Sequence, residues 1–277
     1  MKWTMIIVLI IGSIVLALYF IYFKPFLDKI QAQAKVVIDP QLSIYTGGGG
    51  NSGLLLGDST VLVIDTKIAG FEKAFHDTVV NLAGNRKIMV VNTHWHPDHV
   101  AGNYLFNKAD VWAGGSYTPE DWKKEGGENT LPGNWIKDKM EVAIAGDTAL
   151  IFNLAKNVHT PSDVMVYLKK RKVLFAGDVI LNQQAPALFG AADAYAYVDV
   201  MKELKDKYAI NTVVPGHGPV GGSEVIDNFI VFFNDMEEAA KNPDKESELI
   251  KKYKDWNQIP MAMSPGATIS HFKSKIK

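Results

Sequence analysis

Cysteine is absent from this chain of 277 residues, which excludes disulfides and any thiolate metal ligand. The absence leaves the compartment open, because a chain without cysteine suits an oxidising space and a reducing one alike. Net charge is also nearly absent. Lys and Arg total 29 against 30 Asp and Glu, a formal charge of −1, so there is no basic field to attract a polyanion and nucleic acid is not an expected partner. The run Lys169-Lys170-Arg171-Lys172 falls between two apolar strand candidates and reads as a solvated hairpin turn. The glycine run Gly47–Gly50 is not followed by Gly-Lys-Ser/Thr, so it is not a phosphate loop and reads as a flexible turn. No internal repeat stands out.

What is present suffices for one large core, since 47% of residues are hydrophobic and 21% charged. Met5 to Phe23 is an uncharged run of 19 residues; as a helix at ~1.5 Å per residue it would reach about 28 Å, close to a hydrocarbon core of ~30 Å. It is expected to be an N-terminal transmembrane anchor over 1–24, followed by a linker over 25–40 and a catalytic domain over 41–277. Lysines flank the run almost evenly, at Lys2, Lys24, Lys29 and Lys35, so charge does not set the orientation. A hydrophobic segment this near the start acts as an export signal, which places the domain outside the cytoplasm as a membrane-anchored, single-pass protein.

Strand candidates at Leu42–Tyr45, Gly53–Gly57 and Val61–Asp65 form a meander, and helical stretches around 71–84, 118–125, 195–208 and 223–241 follow among further strands. Thr118-Pro119-Glu120-Asp121 is a helix N-terminal cap.

The chemistry is concentrated in Asn92-Thr93-His94-Trp95-His96-Pro97-Asp98-His99, four potential ligands within six residues, directly after the apolar run Ile88–Val91. Imidazole and carboxylate suit Zn, Fe or Mn, and one such loop can turn ligands onto two ions. Further ligands recur near strand ends: His159 in Asn157–Asp163, Asp178 after Val173–Gly177, and His217 in Pro215-Gly216-His217-Gly218-Pro219. His76, in an amphipathic helical pattern, and His271, in a polar tail, lie outside this pattern and are read as having no catalytic role.

His94-x-His96-x-Asp98-His99, then His159, Asp178 and His217, is similar in order, spacing and flanking residues to the five-part signature of the metallo-β-lactamase fold superfamily, over roughly residues 40 to 240. The resemblance implies an α+β fold, a four-layer αβ/βα sandwich, here preceded by the N-terminal transmembrane helix. It implies two divalent metal ions, zinc first with Fe or Mn as alternatives. His94, His96 and His159 would hold one, Asp98, His99 and His217 the other, and Asp178 would bridge them. The cysteine-containing zinc enzymes of the family place a thiolate where this chain has Asp178, so that subclass does not fit.

Two such metals lower the pKa of a shared water and polarise a substrate oxygen, and hydrolysis is the economical use. Asp98, beside that water, is the candidate catalytic group that orients it and carries its proton to the leaving group. Asp65, Thr93 and Thr160 are candidates to fix ring tautomers. The expected substrate is a small molecule with an ester, lactone, thioester or β-lactam bond. The segments Trp112–Trp135, containing Tyr117 and Trp122, and Asn182–Gly190 are candidates for its apolar wall. Tyr195 and Tyr197 fit either donation to a carbonyl oxygen or helix packing. Fifty-eight residues follow His217-Gly218-Pro219, too few for the long C-terminal helical substrate domain of glyoxalase II relatives, which counts against thioester specificity of that kind. Two alternatives stay open: a mononuclear iron, persulfide dioxygenase-like oxidoreductase, and a noncatalytic metal-binding membrane protein.

Overall fold

In the computed structural model, which describes residues 2–25, 28, 32–154, 156–190, 192–259 and 261–276, apolar residues alternate between two buried faces along the central strands. Val61 and Val63 of β4 (Thr60–Ile64) join one apolar cluster while Leu62 and Ile64 join another. Both faces of this strand are covered, so it reads as a continuous Val/Leu/Ile run.

The first sheet runs β1 (Ala34–Val37), β2 (Leu42–Thr46), β3 (Ser52–Leu56), β4, β5 (Lys87–Val91), β6 (Asp110–Gly114) and β7 (Asn134–Ile136), in that order. Its first four strands pair antiparallel, and β4 to β7 pair parallel. The second sheet has the order β12 (Thr212–Val214), β11 (Val173–Phe175), β10 (Val164–Leu168), β9 (Asp147–Asn153), β8 (Lys139–Ile144), antiparallel except for the β11–β12 pair.

The sheets face each other across a core that includes Leu42, Ile44, Leu62, Val91, Ile151, Val166 and Phe175. Outside the first sheet, Phe75, Val79 and Ala83 of α2 (Glu72–Ala83) pack on Leu54, Val63 and Val90. Outside the second, α5 (Ala194–Lys207), α6 (Glu224–Lys241) and α8 (Pro265–Lys275) pack on Met165, Leu174 and Val213. Helix, sheet, sheet and helix follow one another, and the expected meander and helices lie within a residue or two of their expected bounds.

The N-terminus corrects the expectation of a transmembrane helix. The α-helix α1 (Lys2–Leu18) has 17 residues and passes into a π-helical turn at Tyr19–Phe23. At ~1.5 Å per residue α1 is about 26 Å long, short of a hydrocarbon core of ~30 Å. Among the described residues no helix is long and apolar enough to cross a membrane. Of the stretch expected as a linker, residues 26, 27 and 29–31 lie outside the described residues, and Ala34–Val37 is the edge strand β1, paired with β2. His271 lies within α8 rather than in a polar tail.

The basic run does turn between β10 and β11, but Arg171 is not simply solvated. Its guanidinium Nε donates to Asp39 at 2.6 Å, and Nη1 donates to Asp147 at 3.3 Å.

Candidate metal centre

Four chain segments that leave or enter sheet strands meet at one end of the sandwich. After β5 the chain turns through His94 to the short helix α3 (Pro97–Val100), whose Pro97 starts the turn and whose Asp98 and His99 follow at once. His159 precedes β10, Asp178 follows β11 across Gly177, which has φ of +52°, and His217 follows β12. A left-handed backbone at Gly177 is the tight turn that glycine permits without steric cost.

All seven sequence candidates converge in two sets. The ligand atoms of His94, His96, His159 and Asp178 lie within 4.8 Å of one another, as do those of Asp98, His99 and His217. In the first set, His96 Nδ1 lies 3.0 Å from His94 Nε2 and 2.9 Å from His159 Nε2. In the second, His99 Nε2 and His217 Nε2 are 3.3 Å apart, and Asp98 Oδ2 is 3.0 Å from His217 Nε2. Asp178 faces both sets: Oδ2 is 3.5 Å from His159 Nε2, while Oδ1 is 3.1 Å from His99 Nε2 and 3.5 Å from His217 Nε2.

Second contacts orient the rings. Asp65 Oδ2 lies 2.8 Å from His99 Nδ1, and Thr93 Oγ1 lies 3.0 Å from His94 Nδ1 while donating to Asp65 at 2.8 Å. These two expectations held; the one for Thr160 did not. Thr160 bonds to Asp163 and Tyr117 instead of a ring. The ring of His159 is met by the Tyr197 hydroxyl, 2.9 Å from Nδ1, so this tyrosine combines helix packing with a polar contact. Asp163 also went unanticipated; it accepts from the backbone N–H groups of His159 and Thr160. Its place four residues after His159, in His-Thr-Pro-Ser-Asp, is a signal of side-chain capping of a turn. His76 meets its neighbour Asp77 and the Phe106 ring, away from the centre.

Electrostatics divides the imidazoles. Burial, together with the neighbouring His99 and His96, holds His94 well below the ordinary imidazole range, and burial takes His159 down to about 3. Burial also opposes charge on His99 and His217, but there the carboxylates win. Asp178, Asp98 and Asp65 raise His99 well above its ordinary value, and Asp178 and Asp98 bring His217 up to about 9. Burial would raise both carboxyls, yet His99 and His217 hold Asp98 below, and Asp178 well below, the usual carboxylate range. The carboxylates thus favour positive charge on the His99–His217 side, while burial holds His94 and His159 neutral.

These residues fit a divalent metal pair. Ring nitrogens facing one another at about 3 Å cannot all be donors and acceptors in a satisfied network, and the buried Asp178 Oδ1 accepts no well-formed hydrogen bond. Cations between the nitrogens and carboxylates would satisfy both groups.

Trp122 is fully buried in a cluster with Val100, Ala113 and Tyr117 and cannot touch a substrate. Of the second segment, Asn182, Gln183 and Gln184 line a cavity of about 350 Å³ that reaches His217, with Gly47, Asn51 and Asn257 also on its wall.

The profile of the Metallo-beta-lactamase superfamily matches residues 45–217. The chain belongs to this superfamily. Among its fellow members, the Beta-lactamase-like protein 2 homolog of Caenorhabditis elegans is 27% identical over 221 residues, 78% of this chain and 69% of that protein. The Metallo-beta-lactamase type 2 of Bacteroides fragilis is 26% identical over 156 residues, 55% of this chain and 62% of the enzyme. The fold is shared with the DIM-1 metallo-beta-lactamase, at a TM-score of 0.63 and 19% identity over 73% of this chain and 97% of the other. It is also shared with the sec-alkylsulfatase Pisa1 from Pseudomonas sp., at 0.65 and 16% over 88% of this chain and 50% of the other. As a superfamily member the chain has a mixed α/β fold of two sheets with a His/Asp cluster at one end.

Proposed function

We propose that this protein is a dinuclear metal-dependent hydrolase, with zinc the first candidate metal, acting on an ester, lactone, thioester or β-lactam bond of a small molecule. The observation that carries the reading is Asp178: one carboxylate turns Oδ2 to the first ligand set and Oδ1 to the second. His94, His96 and His159 would hold one cation and Asp98, His99 and His217 the other. Bound there, the metals supply a water of lowered pKa and polarise a substrate oxygen.

The protein's own groups do the remaining work. Asp98 is the ligand carboxylate open to an incoming substrate, 27% exposed against 11% for Asp178. Its carboxylate, beside His217, is the group placed to orient the water and carry its proton to the leaving group. Asp65, Thr93 and Tyr197 hold the rings of His99, His94 and His159 in place.

Elemental analysis of protein purified without added metal or chelator tests this reading. Two zinc equivalents, falling in Asp178→Ala, support it and direct a screen of lactones, thioesters and β-lactams; a single iron overturns it in favour of oxygen chemistry. With a hydrolysed substrate in hand, Asp98→Ala is expected to lose about 10²-fold or more in kcat. Wild-type turnover with intact metal would remove Asp98 from its role.

Membrane attachment through the N-terminal segment, with the domain on the extracytoplasmic side, belongs to the same proposal. Ile10, Ile11, Ile14, Val15, Leu16 and Leu18 are each at least 50% exposed along α1, and apolar surface of this extent favours transfer out of water. Protection of the domain from protease added to intact spheroplasts would overturn the orientation.

A further inference from the structure

Lys67 is a lysine with 2% exposure, placed just after β4. Its ammonium donates to three backbone carbonyls, Tyr45 O at 2.5 Å, Gly47 O at 2.7 Å and Gly50 O at 2.8 Å. Burying an ammonium is unfavourable unless it is well partnered. Burial pushes this one down to about 7, with Asp65 pulling the other way. The backbone is also in the left-handed region, at φ of +75° for Lys67 and +58° for Asp65, which a residue with a side chain adopts at a cost. Two unfavourable features in one residue call for a structural return.

The return lies in what Lys67 holds. Gly47, Gly48 and Gly49 have φ of +70°, +64° and +90°, so the loop is a run of left-handed residues with little intrinsic preference for one shape. The carbonyls of Gly47 and Gly50 are turned onto the ammonium, and that of Gly48 accepts from Ile68 N at 3.2 Å. The loop's far end lies flat on the His99 ring: a Cβ on Gly50 would come within 2.2 Å of His99 Cε1.

The same segment that carries Lys67 also grips His99 itself. Asp65 Oδ2 meets His99 Nδ1 at 2.8 Å, and Thr66 N donates to His99 O at 2.6 Å. His99 is therefore enclosed between residues 65–66 on one side and the glycine loop on the other, and Lys67 fastens the loop to the segment.

We propose that Lys67 is a positioning residue that, by holding the carbonyls of Tyr45, Gly47 and Gly50, keeps the glycine loop against the His99 ring and so sets the metal affinity of the Asp98–His99–His217 set. The inference rests on the two-set reading of the centre. It gives the loop Gly47–Gly50 a role as a moulded wall of the centre in place of a flexible turn.

The test is a zinc titration of the full metal-free chain against a competing chelator, with folding of each sample checked by circular dichroism. Lys67→Met removes the three donors and keeps most of the stem; Lys67→Gly also relieves the left-handed backbone. In both, the second equivalent is expected to bind about 10- to 100-fold more weakly, the range for loss of a group that orients a ligand, with the first unchanged. A purely structural role would lower the melting temperature and leave the second affinity of the folded protein within twofold of wild type, and that result overturns the proposal.

Gly50→Ala keeps Lys67 and lifts the loop from the ring. It must show the same selective loss, so an unchanged second affinity in that variant also overturns the proposal, even if the Lys67 variants do not fold. Should the wild type bind a single equivalent, the two-set reading fails separately, and Lys67 is judged by hydrogen exchange over residues 46–51 of the metal-free chain. Unchanged protection in Lys67→Met overturns its hold on the loop, and protection reduced tenfold or more supports it.

Discussion

Single side chains at the centre carry two distinguishable loads, and Tyr197 shows one of them. Its ring packs against Phe233 inside the helical layer while its hydroxyl meets His159 Nδ1. Tyr197→Phe keeps the packing and removes the polar contact, so the expected outcome is metal binding at the first set weakened by about tenfold with melting behaviour nearly unchanged, read by chelator competition. Lys67 carries the other load, a proton linkage. Its amine sits near 7 in the folded protein against an ordinary value of 10.5, so between those values the unfolded chain binds more protons. Stability from this group therefore rises as pH increases from about 7 towards 10.5. The groups facing it are the Asp65 carboxylate, the three carbonyls and the Phe75 ring at 5.8 Å. Urea midpoints measured across this range should climb more in wild type than in Lys67→Met, and parallel slopes would refute the linkage.

At the scale of elements, the strands supply position and the segments beyond them supply chemistry. β4 and its neighbours β3 and β5 are largely buried on both faces, which makes rigid platforms from which Asp65 and His94 depart. The capping box at α4 (Pro119–Glu125) was readable because it is local: Thr118 Oγ1 accepts from Asp121 N while the Asp121 carboxylate accepts from Thr118 N. The stacked packing of α6 was not, since Phe232 meets Trp256 and Tyr253 only after α7 (Glu246–Lys252) folds back. Phe232 is fully buried, and Phe232→Ala should cost about 3–5 kcal/mol of stability, measured by denaturant unfolding. Metal stoichiometry of the folded fraction should stay unchanged, because this cluster packs on the outer side of the second sheet.

The whole molecule is held together at both ends of the sandwich by polar groups that join separated segments. At the metal end, His94, His96, Asp98 and His99 come from the first sheet, and His159, Asp178 and His217 from the second, so each ligand set is complete only when the sheets are packed. Elsewhere, Arg171 ties the β10–β11 turn to Asp39 and Gln41 before β2 and to Asp147 in β9. The Asp147 side chain is fully buried, and Arg171→Met would leave its carboxylate short of a cation. The expected cost is about 2–3 kcal/mol, seen as a lower melting temperature with metal content preserved; an unchanged melting temperature would show the bridge to be dispensable.

The sequence by itself determined the ligand types, their order, and their place just outside apolar strands, because each of those is a local property: period-two burial, a glycine at a turn, imidazoles and carboxylates close in the chain. It also determined the meander, the helix cap and the assignment of His76 to a role away from the centre. Only the tertiary structure decided which oxygen of Asp178 faces which ligand set, that Tyr197 meets His159 across 38 residues, that Arg171 is a bridge, and that Lys67 braces the glycine loop. Those contacts join residues far apart in the chain, and no local propensity encodes them. They arise when two sheets pack face to face and their strand ends are brought to a common edge, where buried charge must find partners of opposite sign.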